Sequence, residues 1–390
     1  MTSTNSTGSR QFDALGLKKV INGRSWVTIL GGSRMSEEVQ DAMTDAANTF
    51  IDFHELNKRA GTLIAEYTGA EAGLVVAGAS AGLLVQAAAC MAGSDPERIL
   101  QLPDTSGMKD EILIFENHRF GFEICYRTAG ATLKEWGKDE GTLAKQLEAA
   151  IDEKTAAVTY VFGPWMDCAL TLREVVAIAH AKGVPVIVDG AAMLPPADNL
   201  TKYIAEGADL VTFSGGKGLR GPQSTGILAG RADLVEAARL NMSPHASVGR
   251  GSKVAKEEIA AVLVALKRFV SMDHESEWAT WRGWSETITA VGKGFEGLRP
   301  VIEDGDPNRQ GPTAVFYFDE GWRGPSSKEI QDRLAAGNPS IQVGFGSYGD
   351  ELFVSPVALE PGEQEIVAEA LRAAFMLNVP ETGPIERVLG

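Results

Sequence analysis

VPVIVDG at residues 184–190 and ADLVTFSGGKG at residues 208–218 decide how this chain folds. Each is a short apolar run ending on polar or small residues. Asp189 closes the first, and Lys217 follows the second among Gly215, Gly216 and Gly218. Short runs without polar alternation are strands buried on both faces, which places them in a largely parallel sheet covered by helices. The rhythm extends outward through LVVA (74–77), EILIF (111–115), AAVTYVF (156–162) and GILAG (226–230), with helical stretches such as LREVVAIAHAKG (172–183) between them. Strands alternating with helices define an α/β layer.

Around that layer the pattern is mixed. Ser36 is placed to cap a helix over residues 36–50, with Glu37 and Glu38 suited to its first turn. A second helix is expected over 56–67, and ENHRFGFEICYR (116–127) reads as a helix after EILIF. Beyond Arg231 the text is helical, including KEEIAAVLVALKRFVSM (256–272). Strands return in TAVFYFD (313–319), SIQVGF (340–345) and ELFVSPV (351–357), before a last helix over 363–377. The expected division is an amino-terminal arm and helix over 1–55, a large α/β domain over 56–265 and a small α+β domain over 266–390.

The 390 residues are 44% hydrophobic and 23% charged, an ordinary globular composition. Lys and Arg number 36 against 52 Asp and Glu, a formal net charge of −16. That field repels phosphate backbones and anionic lipid, so neither nucleic acid nor a membrane surface is an expected partner. Cys90, Cys125 and Cys168 are odd in number and form no CxxC pair, so no disulfide framework or structural zinc site is expected. No secretory h-region is visible near the start, and a cytoplasmic protein is expected. Residues 74–93 are apolar and uncharged over a length that could span a bilayer, but Gly78, Ser80 and Gly82 interrupt them. They read as a buried strand, a tight turn and a buried helix.

The chemistry-bearing residues follow from strand ends. Ligands of open α/β sheets bind outside the carboxyl ends of the strands, so Asp189 and Lys217 can converge on one crevice. Glycines beside the lysine permit unusual backbone angles and leave room for a planar group. A lysine amine with a carboxylate is the pair a pyridoxal-phosphate site requires: one forms an imine, the other keeps the ring nitrogen protonated. Separately, Asp189 also reads as a turn cap and Lys217 as a solvated loop residue; the joint context favours the cofactor.

Gly78-Ala79-Ser80-Ala81-Gly82 follows a strand and opens a helix. Free N–H groups at such a start suit a cofactor phosphate, with Ser80 adding a hydroxyl. The same letters spell G-x-S-x-G, the nucleophile elbow of serine hydrolases, with Asp189 and His245 or His274 as triad partners. Plain tight packing is the third reading. Gly344 to Gly349 match G-x-G-x-x-G, but a strand follows, so a hairpin is expected rather than a dinucleotide site. Lys217 is not a Walker lysine, because Gly218 follows it and Val211 stands at the first glycine position. His118, just beyond a strand, suits stacking on a planar cofactor or an ordinary surface role. His54, His180, His245 and His274 show no metal-ligand spacing, and no metal is expected.

With these residues in view, the chain resembles the selenocysteine synthase-like branch of fold-type-I pyridoxal-phosphate enzymes, the branch that includes D-glucosaminate-6-phosphate ammonia-lyase. The similarity runs over residues 20–261 and is specific in VINGRSWVTILGGS, IAEYTGAEAGLVVAGASAGL, LPDTSGMKDE, VPVIVDGAAMLPP, ADLVTFSGGKGLRGPQSTG and GRGSKVAKEEIAA. It implies an aspartate aminotransferase-like fold: a mainly parallel sheet of seven-stranded type between helices, plus a smaller carboxyl-terminal domain. It implies a Schiff-base lysine at Lys217, a ring-nitrogen partner at Asp189, a phosphate cradle at Ser80, Ala81 and Gly82 with Ser214 as a further contact, and ring stacking by His118. Such sites usually lie at a homodimer interface, with residues 221–226 reaching toward the neighbour.

Two departures matter. Selenocysteine synthases carry an extra amino-terminal region for tRNA, whereas barely twenty residues precede the shared block here, so tRNA chemistry is disfavoured. Related enzymes often offer an arginine from a carboxyl-terminal strand to the substrate carboxylate; SIQVGFGSYGDELFV has none, leaving Arg34, Arg220 or Arg250 as substitutes. The expected activity is a lyase of amino-acid metabolism acting by α,β-elimination on an amino acid or amino sugar acid to give a 2-oxo acid and ammonia. Racemase, aldolase or aminotransferase chemistry shares its first steps, and a serine hydrolase using Ser80 is the rival of another class.

Overall fold

The computed structural model of the chain describes residues 8–138, 140–163, 166–305, 309–346 and 350–377. Its strands are β1 (Val20–Gly23), β2 (Ala72–Val76), β3 (Glu111–Phe115), β4 (Thr132–Trp136), β5 (Thr155–Val161), β6 (Val186–Asp189), β7 (Leu210–Ser214), β8 (Gly226–Gly230), β9 (Leu298–Glu303), β10 (Thr313–Phe318), β11 (Ser340–Phe345) and β12 (Glu351–Val354).

One compact unit, Gly31–Met272, is built on a seven-stranded sheet in the order β2-β8-β7-β6-β5-β3-β4. β3 to β7 run parallel, and β8 pairs antiparallel with both β7 and β2. Every residue of β5, β6 and β8 is buried, as their unbroken apolar runs require. One apolar cluster includes Val158, Val186, Val188 and Val211, while a second includes Ile112, Ala157, Ile187 and Leu210. Neighbouring residues of a strand thus enter opposite clusters, and each fully buried Val, Leu or Ile contributes roughly 1.5–3 kcal/mol.

Residues 74–93 fold as expected for a buried segment: β2 ends at Val76, Gly78 turns with φ +74°, and the helix Gly78–Ala92 lies almost wholly buried. Among the described residues no helix is long and apolar enough to cross a membrane.

The other unit takes in residues up to Leu30 and from Asp273 onward. Its five-stranded sheet has the order β1-β11-β12-β10-β9, with β1 parallel to β11 and the remaining pairs antiparallel. Ile21 joins Phe316, Leu371 and Phe375 in its core. The amino-terminal strand therefore packs with the carboxyl-terminal strands, while the helix Glu37–Ala47 belongs to the large unit. β11 and β12 form the expected antiparallel pair across the glycine motif at 344–349, of which residues 347–349 lie outside the described residues.

Two local expectations are corrected. Residues 116–127 are not one helix: 3₁₀ turns at Glu116–His118 and Gly121–Glu123 precede a short helix, Ile124–Thr128. Gly121 in that stretch disfavours a continuous helix. Ser36 occupies the N-cap position but makes no side-chain capping bond, and its hydroxyl is buried without a partner among the described residues.

Candidate active site

Asp189 ends β6 and Lys217 lies just beyond the end of β7, so parallel neighbouring strands deliver both to one edge of the sheet. Asp189 is 4% exposed and accepts one hydrogen bond, from Ala191 N–H to Oδ1 at 2.9 Å. Its Oδ2 accepts none from the described residues. Burial pushes the Asp189 carboxyl up, against the opposing pulls of the Ala191 bond and the Lys217 charge. Burial likewise pushes Lys217 down, opposed by the Asp189 charge. Each group is therefore held closer to neutrality than in water, while each supports the ionised form of the other.

The lysine loop is shaped by packing. None of Gly215, Gly216 and Gly218 has a positive φ, contrary to the expectation of unusual backbone angles; that conformation falls at Arg220, φ +58°. The glycines are needed for proximity instead. A Cβ at 215 would lie 2.1 Å from Thr225 Oγ1, at 216 2.4 Å from Gln223 Cα, and at 218 2.0 Å from Leu194 O. The loop is also tied from outside: Ser33 donates to Gly216 O through N–H at 3.0 Å and Oγ at 3.1 Å. Arg34 follows directly in the chain. Arg220 N–H donates to Lys217 O at 2.9 Å, whereas Arg250 is exposed and bonds to Ser247 O. The Ser33 and Arg220 bonds thus bring the chain at Arg34 and Arg220 to the Lys217 loop, whereas the Arg250 backbone bonds to Ser247 instead.

The helix Gly78–Ala92 starts at an N-cap alanine, Ala77, whose side chain makes no capping bond to the first N–H groups. Gly226 of β8 packs beneath this start: a Cβ there would lie 2.9 Å from Gly78 C and 3.0 Å from Ala79 N. Ser80 is exposed, and Ala81 and Gly82 are buried. Ser214 is half-buried at the end of β7. Sequence reasoning missed Cys125, a half-buried thiol near Ser80 and Asp189 that burial pushes up, with the Asp189 charge adding to the rise. A lone cysteine in a mixed stretch carries no pattern that would have marked it.

His118 is fully buried. Val161 N–H donates to Nδ1 at 3.4 Å, and Nε2 lies 3.1 Å from Met166 O, so the neutral ring with its proton on Nε2 satisfies both. Phe115 and Tyr160 meet it edge-on, with centroids 5.4 and 4.9 Å away. Burial pushes its pKa down to about 4. No ring face is open to a planar ligand here, so stacking would require uncovering the ring.

The hydrolase triad finds no support. The Asp189 carboxylate accepts from Ala191 N–H, and His245 Nε2 lies 3.0 Å from Arg239 Nη1 with its ring beside His54. Among the described residues no group of three or more His, Cys, Asp or Glu is placed to hold a metal. A cavity of about 590 Å³, lined by His54, Lys58, Glu71 and Arg239 among others, includes none of Ser80, His118, Cys125, Asp189 or Lys217.

Fold and site together define a fold-type-I pyridoxal-phosphate-dependent enzyme. The chain belongs to the SelA family, L-seryl-tRNA selenium transferase, whose model matches residues 20–282. It is 32% identical to a 5'-C-glycyluridine monooxygenase-decarboxylase from Streptomyces sp., covering 95% of this chain and 94% of the relative. It is 29% identical to D-glucosaminate-6-phosphate ammonia lyase from Salmonella typhimurium, covering 93% and 96%. A solved structure of D-glucosaminate-6-phosphate ammonia-lyase superposes with a TM-score of 0.81 at 28% identity, over 94% of this chain and 98% of that one. Serine palmitoyltransferase from S. paucimobilis, with a TM-score of 0.59 at 14% identity over 91% and 87%, shares the fold.

The residues present fit the cofactor. Asp189 Oδ2 stands ready for a ring N–H, Lys217 supplies an amine disfavoured as ammonium, and the uncapped helix start suits a phosphate.

Proposed function

We propose that the chain is a lyase that eliminates a β-substituent from an amino acid or amino sugar acid and releases a 2-oxo acid and ammonia. The observation that carries this reading is buried Asp189 with half-buried Lys217 at the ends of adjacent strands, in a chain alike over nearly its whole length to an ammonia lyase. When bound, pyridoxal phosphate supplies a sink for the electron pair left at the substrate Cα.

The chain's own residues do the rest. Asp189 holds the proton at the ring nitrogen, an interaction strengthened by burial. The Lys217 amine would hold the cofactor's aldehyde carbon and would serve as the base at the substrate Cα. Its depressed basicity keeps more of it neutral at working pH. The first turn of the helix Gly78–Ala92 and the Ser80 hydroxyl bind the phosphate, with Ser214 beside them. Arg220, whose backbone bonds to Lys217 O, and Arg34, which follows Ser33 in the chain, are the proposed substrate-carboxylate ligands.

A second reading, oxidative loss of the substrate carboxylate, is favoured by the 32% identity to a monooxygenase-decarboxylase. One experiment separates them. The purified protein, loaded with pyridoxal phosphate, is screened with β-hydroxy amino acids and phosphorylated amino sugar acids while absorbance, ammonia, 2-oxo acid, oxygen and carbon dioxide are followed. Ammonia and 2-oxo acid in equal amounts without oxygen uptake support the lyase. Oxygen uptake with carbon dioxide release supports the second reading and sinks the first.

A further inference from the structure

We propose that Gln86 is a positioning residue that sets the separation between the two ends of the cofactor site. The inference rests on the roles given above to the Ser80 cradle and Asp189. A planar cofactor anchored at phosphate and ring nitrogen demands a fixed distance between its anchors. The cradle is the start of the helix Gly78–Ala92, and Asp189 is the last residue of β6. They belong to different elements, so the axial position of that helix on the sheet decides the spacing.

Two contacts on one face of the helix fix that position. Gly82 packs so closely on β7 that a Cβ would lie 2.5 Å from Thr212 Cγ2, and Thr212 is in register with Asp189. Gln86, one turn on, is 0% exposed and donates Nε2–H to Val188 O at 3.2 Å. Val188 immediately precedes Asp189, so this bond runs from the cradle helix to the strand end carrying the ring-nitrogen partner.

Stability does not account for the amide. Gln86 Oε1 is buried and has no hydrogen-bond partner among the described residues. An unsatisfied buried acceptor is costly, and leucine or methionine would fill the space without it. What an apolar side chain lacks is a directional bond to one carbonyl. A close-packed helix can settle at more than one height on a sheet; a hydrogen bond selects one.

Gln86→Met and Gln86→Leu test this in the full chain. Thermal melts of the cofactor-free variants should lie at or above the parent. Titration with pyridoxal phosphate, followed by absorbance, should show affinity weakened by up to about tenfold, the scale of one lost hydrogen bond. The pH midpoint of the bound chromophore should move, because its ring nitrogen no longer meets Asp189 in the same place. Unchanged affinity and midpoint in both variants would overturn the proposal. So would affinity lost only in step with melting temperature, which would make Gln86 a support of the fold alone. Failure of the parent protein to take up pyridoxal phosphate is a different outcome and overturns the underlying site assignment.

Discussion

Burial pushes Asp189 up and Lys217 down, both toward their neutral forms, and each draws the other back toward its charged form. The amine can therefore reach its reactive neutral state at a lower pH than a solvated lysine. Lys217→Ala should remove covalent attachment of pyridoxal phosphate, read as loss of the pyridoxyl group from peptides after borohydride reduction. In the parent, the rate of covalent uptake should rise with pH and level off below the ordinary lysine range, since the pKa is depressed. A levelling at or above that range, or a pyridoxyl group elsewhere in the chain, would contradict the assignment.

Asp189 carries the opposite sign. Its folded-state pKa lies above the unfolded value, so its contribution to stability is present at low pH and is lost as pH rises through the folded value. At neutral pH the buried carboxylate is a liability in the cofactor-free protein. Asp189→Asn keeps an oxygen for Ala191 N–H and removes the charge. The cofactor-free variant should melt above the parent at neutral pH, with the gap narrowing as pH falls. Turnover of the loaded variant should drop on the order of 10²–10³-fold, the usual scale for removing a preorganised electrostatic partner. A variant of near-normal turnover would end the role proposed for Asp189.

How much of this was legible follows from where each residue sits. β5, β6 and β7 are covered on both faces, so their apolar runs announced them and Asp189 and Lys217 with them. β1, β4 and β9 escaped notice, and all three are sheet edges. Edge strands bury less of themselves, so VING, TLKEW and LRPVIE carry polar residues or proline without penalty. The lysine-loop glycines were visible, but their reason was not: clashes with Thr225, Gln223 and Leu194 depend on tertiary approach. His118 sits at a strand end as expected, yet what covers it comes from Tyr160 and Met166, far along the chain.

That covering has its own signature in acid. Buried His118 has a pKa of about 4, whereas an unfolded histidine titrates near 6.5. Its contribution is present above the unfolded value and is lost as pH falls between the two, because the unfolded chain binds a proton that the native one refuses. Over that window the loss amounts to on the order of 3 kcal/mol. His118→Gln should flatten this part of the curve. Urea denaturation of both proteins at neutral pH and near pH 4.5 should show the parent losing more stability than the variant; equal losses would mean that the ring is not held neutral.

Cys125 provides a check on the space between the anchors that does not depend on turnover. Its thiol lies close enough to Ser80 and Asp189 to feel both, so it reports on the space around them. Burial raises its pKa, which keeps the unreactive thiol dominant at neutral pH. Alkylation of the cofactor-free protein should be slow at neutral pH and accelerate as pH rises. Loading with pyridoxal phosphate should slow it further, with the modified position read by peptide mass spectrometry. Cys90, pushed up to about 12 and within range of Asp209, Arg231 and Asp233 rather than Asp189, is the internal control and should not respond to loading. Protection at Cys125 alone would place the cofactor against Ser80 and Asp189 together; equal rates with and without it would remove Cys125 from the site.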